Sequence, residues 1–451
     1  MKKWISLGLL CLTGQALANL HLAPPDFDIK SNRAVFVDFK KAHYEITFDQ
    51  YRRKATVKTR IEFEQTKAGM PLFDLVPAIN SANINGENVK VASIRLPNSS
   101  QARLIEKNLA PGNYVVEMSN AFKENVEFMD DYRFVKAAFW IRDLKDRLFM
   151  EQYIPSNFEF DQYQMTFDVK FVGTELENQD IYTNGVMKKV AKNHYRIDFP
   201  SYFTVSCPYF HVTGKNSGIK RADFTYKSIS GRNIPMTVYS PWSSRTKKFK
   251  AEAIRVMQEL EADYGPWAHP TFVAYGTLPG LGGMEHSGAT VTSFAALDHE
   301  MLHSYFAKGV MPANGNSGWI DEAIASWRDN GYQRLMTPGF TGSNIGAQSV
   351  YKRNTDDRSY KLGSAFMAYL DYRLQDMGGL KAFLRGYFAA FKHTVVTTEH
   401  FKNNLEFWSG INFDEDFNRY ILNNDIVQPP KALEQNPYHP EMSAKDLRSI
   451  L

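Results

Sequence analysis

The sequence predicts an α+β protein in which an antiparallel β domain precedes a mostly helical domain. Between about residues 35 and 235, segments such as 44–48, 55–63 and 163–169 alternate apolar with polar residues, the pattern of half-buried strands. From about residue 236 the period lengthens, and apolar residues between 247 and 264 recur at helical spacing. Strands followed by helices along one chain are typical of an α+β fold.

The domain boundaries follow from these changes in pattern. Residues 1–18 are predicted to be a signal peptide, residues 19–235 an N-terminal antiparallel β domain, and residues 236–428 the second domain. The tail at 429–451 is rich in Pro, Asn, Glu and Lys, so we expect it to lie on the surface with little structure of its own.

The first eighteen residues differ in composition from the rest of the chain. Lys2 and Lys3 precede an apolar run over residues 4–12, and the small residues Ala16 and Ala18 follow. This pattern predicts export with cleavage after Ala18, and so a periplasmic or secreted protein. The apolar run is roughly half the length that a bilayer span requires, which argues against stable membrane insertion after cleavage.

Charge and cysteine content exclude some classes of protein. The 53 basic and 49 acidic residues nearly balance, so the composition gives no reason to expect a nucleic-acid partner. Cys11 and Cys207 are the two cysteines, and the first would leave with the signal peptide. The mature chain is therefore expected to contain no internal disulfide, with Cys207 a small buried residue.

One motif in the second domain indicates metal chemistry. In 299–303, His-Glu-Met-Leu-His, the two histidines stand one helical turn apart on one face, where both imidazoles can bind a single zinc ion. Glu300 would then face the metal-bound water. The alternative interpretation is an exposed helix that carries two unrelated histidines.

A catalytic zinc ion usually takes three protein ligands and keeps the fourth position for water. Glu322 is the candidate third ligand, in an apolar segment at 318–327 that predicts a second buried helix. Asp321 is the rival ligand, although a solvated or capping role fits an aspartate near a helix start better.

These motifs together resemble the aminopeptidase N family of zinc peptidases. Residues 304–321 separate His303 from Glu322, and this spacing and the Trp-x-x-Glu-Ala context of Glu322 match that family. Residues 282–286, Gly-Gly-Met-Glu-His, are similar to its exopeptidase motif and closer still to that of the glycyl aminopeptidase family. The resemblance can be followed from about residue 38 to 425. It implies a thermolysin-like catalytic fold of the gluzincin type with one zinc ion.

The resemblance and the chemistry together suggest a role for each candidate residue. Glu300 is the expected general base, and Tyr360, within 359–363, would stabilise the oxyanion as the family's tyrosine does. Glu285 offers a fixed negative charge to a free amino terminus. Gly282 and Gly283 would allow a substrate strand to approach closely. By resemblance alone, Gln152 is a second contact for the substrate amine.

The chain also departs from the family pattern. Tyr305 stands where the family often has Trp, His286 follows the exopeptidase glutamate where Asn is usual, and Lys361 lies one place early. These differences leave the preferred first residue of the substrate open. Because the sequence stops near the end of the catalytic domain, the resemblance also suggests an open cleft.

The sequence therefore predicts a zinc-dependent aminopeptidase that acts on peptide substrates. Two alternatives stay open: a zinc endopeptidase with an open cleft, and an inactive protein that binds peptides. The glycine-rich context of Glu285 favours the aminopeptidase over the endopeptidase. The complete set of candidate catalytic residues disfavours the inactive peptide-binding protein. The sequence does not indicate an oligomeric state.

Overall fold

The computed structural model describes residues 19–97, 101–144, 147–175, 178–352 and 354–423. The predicted signal peptide at 1–18 and tail at 429–451 lie outside these residues, so both stay predictions. Within the described part of the chain, no helix combines the length and the apolar character needed to cross a membrane.

The first half of the described chain is built almost entirely of strands. They are β1 (Phe27–Ile29), β2 (Asn32–Val35), β3 (Asp38–Asp49), β4 (Lys54–Gln65), β5 (Met70–Phe73), β6 (Ile79–Ile84), β7 (Glu87–Asn88), β8 (Val91–Arg95), β9 (Gln101–Ile105), β10 (Gly112–Phe122), β11 (Val126–Met129), β12 (Phe134–Ala138), β13 (Gln164–Val172), β14 (Gln179–Thr183), β15 (Val186–Ala191), β16 (His194–Asp198) and β17 (Phe210–Gly214).

These strands form three sheets. The largest has eight strands in the order β15-β16-β13-β3-β4-β10-β6-β7, and the others are β1-β2-β5-β9-β8 and β11-β12-β17-β14. The alternation that predicted strands also determines which side of the large sheet is buried. In β3, Tyr44, Ile46 and Phe48 are fully buried, whereas Glu45 and Thr47 between them are partly exposed.

The prediction of a purely antiparallel β domain is wrong at two places. Strand β13 runs parallel to β3, with Gln164 opposite Lys41, and β5 runs parallel to β2. Alternation along a strand reports which face is buried, and it carries no information on the direction of the neighbouring strand. The other strand pairs in these three sheets are antiparallel.

The second half combines helices with a smaller sheet. Its strands are β18 (Lys220–Lys227), β19 (Asn233–Ser240), β20 (Phe272–Gly276), β21 (Gly283–His286), β22 (Ala289–Thr292), β23 (Val310–Pro312) and β24 (Thr394–Val396). Its α-helices are α1 (Ser243–Tyr264), α2 (Leu297–Leu302), α3 (Trp319–Asp329), α4 (Leu362–Arg373), α5 (Gly379–Phe391), α6 (Thr398–Ser409) and α7 (Asp414–Phe417).

Short helical turns complete the chain. Those of the 3-10 type are Asn19–Leu22, Asp131–Arg133, Met150–Gln152, Phe294–Ala296, Asp357–Ser359 and Gln375–Met377, and a π-helical turn spans Asn418–Leu422.

The α+β prediction is confirmed, but the second half holds more sheet than its helical periodicity suggested. Strands β18 to β22 form a five-stranded sheet in the order β18-β19-β20-β22-β21, which leaves β21 at one edge. Strand β20 is buried along its whole length. A short apolar run of this kind cannot be separated from a buried helical turn by periodicity alone, which is why the sequence did not reveal it.

Helix α1 shows why the helical pattern in this half is strong. Its side chains Phe249, Ala253, Met257, Leu260 and Tyr264 are all buried, and they lie three or four residues apart on one face. The helix ends at Gly265, whose φ of 101° is easily adopted only by glycine.

One hydrophobic cluster joins the β domain to the five-stranded sheet. It contains Phe167 and Phe210 from the β domain together with Tyr239 and Val291 from the smaller sheet. Tyr182 of β14 stacks on Tyr239 of β19 with 3.6 Å between the ring centroids. The helices cover a separate core on the other side of that sheet.

Candidate active site

The short helix α2 carries the first four residues of the histidine motif, 299–302, and His303 follows directly. His303 is the C-cap residue, and its backbone N–H donates to His299 O over 3.3 Å, so the helical turn continues through it. The two imidazole centroids are 4.7 Å apart, and both rings are buried. The alternative of an exposed helix with unrelated histidines is therefore wrong.

Helix α3 places a carboxylate against both rings. Glu322 Oε2 lies 3.2 Å from His299 Nε2 and 3.5 Å from His303 Nε2. The possible ligand atoms of these three residues all lie within 4.8 Å of one another. His303 Nε2 is buried and makes no hydrogen bond to any described residue. Two imidazole nitrogens and a carboxylate oxygen are the donor set of many catalytic zinc sites, so the residues fit zinc.

Neighbouring groups fix the orientation of each imidazole. Asp329 Oδ2 lies 2.5 Å from His299 Nδ1, and the carbonyl of Phe306 lies 3.1 Å from His303 Nδ1. Contacts on Nδ1 leave Nε2 directed at the shared point near Glu322. Burial alone would lower the pKa of His299, but Asp329 and Glu322 raise it to about 10 in the metal-free protein.

Glu300 lies beside this point in a buried position. A Cβ atom added to Gly283 would overlap the Glu300 carboxylate, so the strand β21 and the carboxylate are in direct contact. Burial raises the pKa of Glu300, while the two histidines act in the opposite direction. The sequence assigned Gly283 to the substrate path, and in the structure Glu300 occupies the space over its Cα.

Tyr360 approaches the same carboxylate from the other side. Its hydroxyl donates to Glu322 Oε1 over 2.7 Å, and its ring centroid is 6.2 Å from that of His299. Burial and the charge of Glu322 raise the pKa of Tyr360, so the hydroxyl keeps its proton. The structure therefore places the Tyr360 hydroxyl beside the point on which His299, His303 and Glu322 converge.

Strand β21 carries Glu285 to the same cluster. The ligand atoms of Glu285, Glu300 and His303 also lie within 4.8 Å of one another. Glu285 is buried, and its Oε1 lies 3.2 Å from Lys308 Nζ. Because β21 is the edge of its sheet, its outer side faces no further strand of that sheet. An extended peptide could add there by main-chain hydrogen bonds.

Other residues named from the sequence have clear structural surroundings. His286 Nδ1 lies 2.8 Å from Pro208 O and the ring packs on Tyr209, so His286 has a structural environment. Cys207 is a free, buried cysteine, as predicted. Gln152 Nε2 donates to Trp140 O over 3.0 Å, which turns the amide nitrogen toward its own domain. Its predicted contact with the substrate amine stays a prediction.

The sequence reasoning missed three residues that line or support the site. Asp329 lies seven residues after Glu322 on α3, and that spacing places the two on one helical face. Lys308 and Asp143 line a small cavity that also touches Asp321 and Thr355. The backbone N–H of Thr355 donates to Asp143 O over 3.0 Å, which joins the β domain to the segment before Tyr360.

Known structures share this fold at low sequence identity. Native leukotriene A4 hydrolase from Saccharomyces cerevisiae matches with a TM-score of 0.64 and 13% identity over 88% of this chain and 69% of that chain. An M1 zinc metallopeptidase from Deinococcus radiodurans, in a mutant bound to the substrate Tyr-Ser-Ala, matches with a TM-score of 0.60 and 13% identity over 87% and 96%. A further structure of that metallopeptidase matches with a TM-score of 0.58 and 14% identity over 83% of this chain and 91% of that chain.

No protein-family model matches the chain, and no curated protein does. At these identities the structural matches show the fold alone. The chain therefore has the fold of the M1 zinc metallopeptidases, and its chemistry has to be argued from its own residues.

Proposed function

We propose that the chain is a zinc-dependent aminopeptidase that removes the first residue of peptides. The observation that carries the proposal is the convergence of His299, His303 and Glu322 on one point, with Glu300 directly beside it. The fold, which matches substrate-bound zinc peptidases, and the gluzincin-like motif spacing support it. We further propose, from residues 1–18, that the protein is exported to the periplasm or secreted.

Each residue of the cluster has a distinct role in this mechanism. One zinc ion, held by His299, His303 and Glu322, would polarise the scissile carbonyl and make a water molecule more acidic. The Glu300 carboxylate takes a proton from that water as it attacks the carbonyl carbon, and later delivers the proton to the leaving nitrogen. The Tyr360 hydroxyl donates to the oxygen that becomes negative during the attack.

Glu285 is the reason for proposing an exopeptidase. Its carboxylate lies within the same small cluster as Glu300, so an ammonium group bound there is held close to the reacting water. Only the peptide bond nearest the amino terminus can then reach the zinc position. The open edge of β21, with Gly282 and Gly283 at its start, supports the substrate backbone alongside, and Gln152 is a possible further contact.

One observation favours the endopeptidase alternative. Lys308 already binds Glu285 Oε1, so one oxygen of this carboxylate is left for a substrate amino group. An inactive peptide-binding protein is not favoured, because the base, the three candidate ligands and the tyrosine all lie together.

The test combines metal analysis with cleavage of matched peptides. The purified chain is expected to contain about one zinc per molecule and to cleave a tripeptide with a free amino group, but not its acetylated form. Glu300→Gln should keep the metal and lose activity roughly a hundredfold or more, because only the base is removed. The double variant His299→Ala, His303→Ala should lose the metal.

A matched control uses two histidines outside the site. His43 and His194 both contact Asp168, 3.0 and 3.3 Å away, so they also combine two imidazoles with a carboxylate. Their replacement by alanine should leave zinc content and activity unchanged. Zinc that persists in the His299/His303 variant would contradict the metal assignment. Equal cleavage of the free and acetylated peptides would contradict the aminopeptidase proposal and favour the endopeptidase alternative.

A further inference from the structure

We propose that Lys308 is a positioning residue that orients Glu285 for the substrate's amino group and so sets how strictly a free amino terminus is required. The inference rests on the proposed function and deepens it. Lys308 belongs to none of the motifs that indicated peptidase chemistry, and it lies five residues after His303 in the chain.

Lys308 is held at both ends. Only 4% of its surface is exposed. Its backbone N–H donates to His303 O over 2.8 Å, and its carbonyl accepts from Ser287 Oγ over 3.3 Å. At the far end, Nζ donates to Ser206 Oγ over 3.1 Å and lies 3.2 Å from Glu285 Oε1. A lysine so fixed can act as a rigid support for the group it contacts.

The pair must stay together because both charges are buried. The side chains of Lys308 and Glu285 are each 5% exposed, and an isolated charge at such a site is costly. Among the described residues, Lys308 is the one cation within salt-bridge distance of Glu285. Lys308 therefore fixes the plane of the Glu285 carboxylate by binding one of its two oxygens.

The remaining oxygen is left to face the substrate. A carboxylate accepts hydrogen bonds at both oxygens, so Oε2 can accept from an ammonium group while Oε1 stays on Lys308. Two cations would then share one carboxylate, each bound to a different oxygen. The position in which Lys308 holds Glu285, rather than Glu285 alone, therefore determines how strongly a free amino group is preferred.

The experiment compares Lys308→Met and Lys308→Arg with the wild-type chain in its zinc-loaded form. The measured quantity is kcat/KM for a tripeptide with a free amino group, divided by kcat/KM for its acetylated form. Lys308→Met should lower this ratio about tenfold or more, mainly by raising KM for the free peptide, because an unsupported Glu285 binds the ammonium poorly. Lys308→Arg should recover much of the ratio, since it restores a cation. Lys381→Met removes a half-exposed lysine that pairs with Asp263, and it should change nothing.

The possible results separate this inference from the proposed function. A wild-type chain that cleaves neither peptide overturns the proposed function and this inference with it. An active wild-type chain together with an unchanged ratio in Lys308→Met, or with an equal loss for both peptides, overturns the inference alone. If Lys308→Met does not fold, Ser206→Ala takes its place. It removes one hydrogen bond from Nζ and should lower the ratio by a smaller factor, and an unchanged ratio there also overturns the inference.

Discussion

The absence of a side chain at Gly283 leaves room for the carboxylate of Glu300. The sequence alone suggested that this glycine admits a substrate strand. In the structure the carboxylate of Glu300 lies over its Cα, where a Cβ atom would stand. Glycine is therefore needed at this position because any larger side chain would overlap the Glu300 carboxylate. The predicted contact of Gly282 and Gly283 with the substrate is not excluded by it and stays a prediction.

We expect Gly283→Ala to lower turnover at least tenfold while zinc stays bound. The added methyl group would push Glu300 away from the water it activates, and general-base catalysis depends on hydrogen-bond reach. The metal ligands are on other elements and are not displaced. Turnover and zinc content of the purified variant test this expectation.

The control for this variant is Gly386→Ala in helix α5, where an added Cβ meets no atom within 4 Å. That change should leave turnover unaltered and favour the helix slightly, because alanine has the higher helix propensity. Wild-type turnover in Gly283→Ala would show that Glu300 tolerates displacement or does not act as the base.

Helix α3 places two carboxylates of the site on one face, because their spacing matches the helical period. Glu322 and Asp329 are seven residues apart, which is about two turns, so both face α2. Glu322 meets the Nε2 atoms of the two histidines, and Asp329 meets Nδ1 of His299. One straight helix thus supplies a candidate ligand and the group that orients another ligand.

Asp329→Asn should weaken zinc binding by about tenfold to a hundredfold, which is the usual effect of losing an outer carboxylate. The amide can still accept a hydrogen bond from His299 Nδ1, but it no longer supports the charge on the metal. Competition with a chelator measures the affinity. Asp376→Asn changes an exposed carboxylate and serves as the control. An unchanged affinity in Asp329→Asn would reduce Asp329 to a packing residue.

The sequence predicted these helices better than it predicted their supporting groups. Periodicity indicated the helical segments in the second half, and the histidine motif indicated the chemistry. Lys308 was missed because lysine in a sequence ordinarily signals an exposed position. Its burial depends on Glu285 and on the distant Ser206, which the local sequence does not bring together. Asp143 was missed because its place in the cavity results from the packing of the β domain on the second half of the chain. The parallel pairing of β3 with β13 was missed for the same reason: it is a long-range property.

At the scale of the whole molecule, buried histidines connect stability to pH. Burial lowers the pKa of His211, His269 and His286 from 6.5 to about 3 in each case. In the unfolded chain these side chains titrate near 6.5, so below that pH the unfolded state binds more protons than the folded state. Their contribution to stability is complete above pH 6.5 and is lost as the pH falls from there toward 3.

We therefore expect the stability that these three histidines contribute to fall between pH 7.5 and pH 5. Each buried histidine contributes a slope of up to about 1.4 kcal/mol per pH unit below 6.5. Denaturant unfolding at several pH values measures the slope. His211→Phe removes one titrating group from the aromatic cluster and should make the dependence shallower. A pH dependence in His211→Phe that is identical to that of the wild-type chain would contradict the burial of a neutral His211.

The hydrophobic cluster that joins the two halves has a consequence for how such a protein can change by recombination. Tyr239 and Val291 from one half pack in the same cluster as Phe167 and Phe210 from the other. The link between β17 and β18, residues 215–219, looks like a natural place to exchange one half for that of a relative. A chimera made there would bring together two surfaces that had never been packed on each other. The two halves therefore have to be exchanged together if the shared cluster is to stay packed.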